Sequence, residues 1–84
     1  MLPEYKFSKQ IQKAIQKSIN YFGSYQKLSK ALGITSSNVA HWAKGREPMP
    51  LHQAFKIQDM TEGKIRAECL RPEIFDYFNK KYEE

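Results

Sequence analysis

Between Ser24 and Lys44 two short runs of helical periodicity are separated by only three residues, and those three begin with a glycine. Leu28, Ala31 and Leu32 fall on one face of the first run, and Val39, Trp42 and Ala43 on one face of the second. Ser24 and Thr35 are residue types that cap helix N-termini, while Gly33 supplies the left-handed backbone that ends the first run. A link this short holds two helices at a steep angle. Leu28, Leu32, Ile34, Val39 and Trp42 stand at the positions that must be apolar to keep them there. Ser29 lies four residues before Gly33, where the helices approach most closely and a large side chain would force them apart. The chain is therefore read first as a helix-turn-helix, and the rest must pack around it.

The remaining segments are helical too. Ser8 is a candidate N-cap for a helix running to Phe22, with Ile11, Ile15, Ile19 and Phe22 on its apolar side and Lys9, Lys13 and Lys17 opposite. Pro48 and Pro50 make a tight connection, and Pro50 is placed to open a fourth helix from Leu51 to Met60, with Leu51, Ala54, Phe55 and Ile57 facing inward. A short helical turn is expected over Ile65 to Leu70, after which Pro72 ends or restarts the pattern. The segment 73–84 carries Ile74, Phe75, Tyr77, Phe78 and Tyr82, more apolar surface than a free tail exposes, so it is expected to cover the core or a second copy. No β-alternation, repeat or low-complexity stretch is present. The expectation is an all-α fold of four or five helices in a single domain over 1–84, with 1–7 as an N-terminal arm and 73–84 as an aromatic C-terminal tail.

Charge narrows the function. From Tyr5 to Arg46 there are eight basic residues and no Asp or Glu, whereas from Glu47 onward eight acidic residues face six basic ones. A polyanion is the natural partner of the first half, because each cation placed near a phosphate releases condensed counterions. An enzyme is not expected: there is no glycine-rich phosphate loop and no nucleophile with a base at recognisable spacing. His41 and His52 without a thiolate pair do not make a metal site, and no cofactor or small-molecule ligand is expected. Cys69, the lone cysteine, can form no internal disulfide and is assigned no chemistry. With no secretory leader and no run of about 18 apolar residues, the expected location is the cytoplasm, on the nucleoid, with no membrane partner. Isoleucines on a core-completing helix argue against membrane insertion, and the absence of a predicted sheet argues against the common RNA-stacking modules.

The stretch from Tyr21 to Arg46, YFGSYQKLSKALGITSSNVAHWAKGR, resembles the helix-turn-helix of phage Cro repressors, in particular the YdaS-type Cro-like proteins of the Cro/cI superfamily. The run Leu70-Arg71-Pro72-Glu73-Ile74-Phe75 is similar to the end of YdaS-type sequences. The resemblance implies a lambda-repressor-like domain, and a transcriptional repressor that binds operator DNA as a two-fold homodimer with half-sites about one helical turn apart. Tyr25 stands where many members carry a glutamine that touches phosphate.

Helical geometry agrees with such a role. With Val39, Trp42 and Ala43 turned inward, Ser36, Ser37, Ala40, His41 and Lys44 turn outward. Ser36 and Ser37 can exchange hydrogen bonds with base edges, Ala40 lets the helix lie close and meet a thymine methyl, and His41 can donate to a guanine N7 or O6. Lys44 and Arg46, with Ser24, Tyr25, Gln26, Thr35 and Asn38 near helix starts, are the expected phosphate contacts. The competing expectation is that the same scaffold binds a protein, as an antitoxin or polymerase-binding regulator would. A neutral or acidic outer face would favour it, and the outer face here carries His41 and Lys44.

Overall fold

Ser8 begins the first helix by chemistry local to it: its Oγ accepts from the Ile11 N–H at 3.2 Å, satisfying an amide that a helix start otherwise leaves open. The computed structural model describes residues 4–81 and places six helices among them: α1 Lys9–Phe22, α2 Tyr25–Leu32, α3 Ser36–Ala43, α4 Leu51–Met60, α5 Ala67–Leu70 and α6 Pro72–Lys81. The fold is all-helical, as the periodicity predicts. The expected count of four or five is corrected to six, because the segment taken as a tail is a helix that starts at Pro72, where a missing N–H costs a helix nothing. Tyr82 and residues 1–3 lie outside the described residues.

One core joins all six helices. Ile11, Ile15 and Ile19 of α1 meet Leu28 and Leu32 of α2, Val39 and Trp42 of α3, Ala54 and Ile57 of α4, and Ala67 and Leu70 of α5, all buried. Ile74 of α6 is buried as well, and Phe75 packs on the cluster, so the aromatic segment does cover the core. Burying an isoleucine or leucine fully stabilises by about 1.5–3 kcal/mol, and this sum holds helices of eight residues that would be marginal alone.

Two details of the core depart from expectation. Phe55 does not face inward; it is exposed and meets Phe75 edge to face at 5.9 Å, while Gln53 takes the buried place on α4 beside Ala54 and Ile57. The short fifth helix starts at Ala67 rather than Ile65, because Ile65 is held in the preceding loop: its N–H donates to Thr61 Oγ1 at 3.1 Å, and that hydroxyl donates to the Ile57 carbonyl at 2.8 Å. Gln58 Oε1 then accepts from the Ala67 N–H at 2.9 Å, capping α5 from α4.

Residues 4–8 are not helical, yet Tyr5 packs against the core. Arg71 lies over its ring at 5.5 Å, and its hydroxyl is buried without a hydrogen-bond partner. Burial first, and the nearby Glu73 carboxylate second, push the Tyr5 phenol above its ordinary value of 10.0, with Arg71 pulling the other way. The folded state therefore prefers the neutral phenol. Its contribution is fully present below the unfolded chain's value, about 10, and is lost as pH rises through the higher folded value. Urea titrations between pH 8 and about pH 11 should show stability falling more steeply in the parent chain than in Tyr5→Phe. Equal slopes would remove Tyr5 from the alkaline transition.

Candidate nucleic-acid interface

The turn between α2 and α3 closes through glycine backbone. Gly33 sits at φ 73° and ψ 32°, a left-handed conformation, so that its N–H reaches the Lys30 carbonyl at 3.2 Å and the Ile34 N–H reaches the Ser29 carbonyl at 2.9 Å. Ile34 packs against the core just past that closure. Ser29 is buried and its hydroxyl donates to the Gln26 carbonyl at 2.8 Å, so its hydroxyl is not left unpaired. Leu28, Val39 and Trp42, at most 3% exposed, fix α3 across α2.

That packing decides what α3 offers to solvent. Ser37, Lys44 and Arg46 are exposed, while Ser36, Asn38, Ala40 and His41 are half-buried. Ser36, Ser37, Ala40, His41 and Lys44 share the outer side of the helix by register. Thr35 stands at the N-cap of α3 with extended backbone, exposed and with no cap hydrogen bond from its hydroxyl. The start of α2 is arranged otherwise: the Ser24 hydroxyl already accepts from the Lys27 N–H at 3.1 Å, Tyr25 leans its ring on the core, and Gln26 is exposed. The end of α3 is closed by Gly45 at φ 76°, and a Cβ there would lie 2.6 Å from the ring of Phe7, which reaches this turn from the N-terminal segment.

Charge is distributed differently from its order along the chain. Lys13 and Lys17 line a cleft of about 310 Å³ with Gly63, Lys64, Arg66 and Cys69, so part of the basic half gathers toward α5 rather than around the outer side of α3. The surroundings of α3 are also not acid-free. Glu47 turns back so that its Oε1 lies 3.1 Å from His41 Nδ1. Counting charge by segment put Glu47 with the acidic half, and only the bend at Gly45 reveals that it belongs to this face.

A family model for the DNA-binding transcriptional regulator Cro matches residues 14–78. The chain belongs to the Cro family. The match runs from within α1 into α6, so the Cro assignment covers the whole helix-turn-helix and the core beneath it. The regulatory protein cro of Pseudomonas phage D3 is 32% identical over 54 residues, which cover 64% of this chain and 74% of that protein. No solved structure matches. The chain is thus a Cro-like, DNA-binding transcriptional regulator, the family that the Tyr21 to Arg46 stretch resembles. Among the described residues of this Cro-like chain no helix is long and apolar enough to cross a membrane.

Proposed function

We propose that the chain reads operator DNA by laying α3 in the major groove, binding as a two-fold dimer with half-sites about one helical turn apart. The observation that carries this reading is the two-sidedness of α3: Val39 and Trp42 are sealed in the core, and the opposite side is small and polar from Ser36 to Lys44. Ser36, Ser37, Ala40 and His41 are then the base readers, because short side chains let the helix lie close to the base edges. Thr35, Asn38, Lys44 and Arg46 hold phosphate, with Gln26 and the start of α2 on the same backbone. Ser24 would act through its backbone there, since its hydroxyl is occupied by the cap, and Tyr25 through its phenol, since its ring rests on the core.

Selection from a random duplex pool tests the reading. Enrichment of a short sequence repeated in two-fold symmetry is expected, and failure to enrich any sequence would reject it. Lys44→Ala and Arg46→Ala should each weaken binding to all duplexes alike, and each should lower the slope of log K against log salt by about 0.9 if one phosphate contact is lost. Titrations at several salt concentrations read this directly. A loss confined to one preferred sequence would instead make the residue a base reader.

A further inference from the structure

The reading helix ends beside an acid, which is a poor neighbour for a polyanion. The approach is built by the turn that follows α3, in which the Gly45 N–H reaches the Trp42 carbonyl at 3.2 Å and the Arg46 N–H reaches the His41 carbonyl at 2.9 Å. The chain so bent brings Glu47 Oε1 to 3.1 Å from His41 Nδ1. Glu47 pairs with neither of its basic neighbours, Lys44 and Arg46, among the described residues. The two side chains are 39% and 55% exposed, so the pair contributes little to folding. Stability does not account for it.

Hydrogen-bond chemistry gives it a use. A carboxylate only accepts, so the shared proton sits on His41 Nδ1. In the neutral ring Nε2 is then an acceptor, and it has no partner among the described residues. We propose that Glu47 is a specificity-determining residue that acts through His41. It fixes the ring's orientation and tautomer, so that Nε2 meets the groove as an acceptor matched to an exocyclic amine, adenine N6 or cytosine N4. A free imidazole could turn either nitrogen outward and choose between donor and acceptor edges, which discriminates poorly. This inference rests on α3 being the base-reading helix. For the neutral ring it also replaces the guanine expected from the imidazole's donor chemistry, since donation from Nε2 to N7 or O6 would need the imidazolium. The acid lowers affinity for all DNA by repelling phosphate and, in return, rejects base pairs that offer only an acceptor.

The test is duplex selection at neutral pH with the parent chain, His41→Ala, Glu47→Ala and Glu47→Gln, each checked for unchanged helicity. The parent should enrich an amine-bearing base at one position of each half-site. Glu47→Ala should lose discrimination there by about fivefold to a hundredfold, the value of one base contact, while binding random duplex as tightly as the parent or more so. Glu47→Gln still offers an amide oxygen to Nδ1–H and should keep the preference. Adding Glu47→Ala to His41→Ala should cost no further discrimination. Guanine at that position in the parent, or a Glu47→Ala variant that keeps the parent's preference, would overturn the inference while leaving groove reading intact. A parent chain that enriches no sequence would overturn groove reading itself, and this inference with it.

Discussion

Trp42→Ala should cost about 3–5 kcal/mol, the usual loss when a large buried aromatic is removed and its cavity only partly collapses. Trp42 is 3% exposed on the underside of α3, within the cluster that joins α3 to α1 and α2. At about 0.05–0.15 kcal/mol per residue a chain of this length has about 4–13 kcal/mol of stability, so the loss is about a quarter of it or more. α3 has eight residues and no side-chain cap, and nothing local would preserve it once its anchor is gone. Far-UV circular dichroism in urea should show the midpoint falling by about a quarter or more, with DNA binding lost in step with the folded fraction. Dichroism is needed because Trp42 is the sole tryptophan and its removal eliminates the tryptophan signal. A variant within about 1 kcal/mol of the parent would contradict the role given to Trp42.

Arg71→Ala should cost about as much, for an electrostatic reason. The Arg71 and Glu73 side chains are only 13% and 15% exposed. Arg71 Nε donates to Glu73 Oε1 at 2.5 Å, and its Nη1 donates to the Met49 carbonyl at 2.6 Å, tying the start of α6 to the connection before α4. Its charge also rests on the Tyr5 ring. Without the guanidinium, a carboxylate, one of whose oxygens already lacks a partner, stays nearly buried beside an orphaned carbonyl. Breaking such a pair from one side costs about 3–5 kcal/mol, whereas replacing both members by apolar residues costs much less. Thermal melts of Arg71→Ala, Glu73→Leu and the double variant Arg71→Met/Glu73→Leu should place the double variant nearest the parent. If Arg71→Ala melted with the parent, the cluster would be no more than surface decoration.

What could be read from the sequence was local. Ser8 and Ser24 cap helices because the accepting hydroxyl and the donating N–H are three residues apart, and the link at Gly33 needs only its neighbours. The inward set of the helix-turn-helix was legible for the same reason. Phe55 was not, because apolar residues occupy two sides of α4 and only the position of α6 decides which side is covered. Arg71 reaches a carbonyl 22 residues back, a partnership that no pattern in its own segment could reveal. At the site, the outer side of α3 followed from the period of the helix, whereas Glu47 required the direction of the chain after Gly45.

The ring of Phe7 under Gly45 makes the turn after α3 depend on the segment that precedes α1. Lifting that segment away should speed hydrogen exchange of the Gly45 amide, which a comparison with Phe7→Ala would read. Shortening the chain past Phe7 would leave every candidate DNA contact in place and loosen the turn that brings Glu47 to His41.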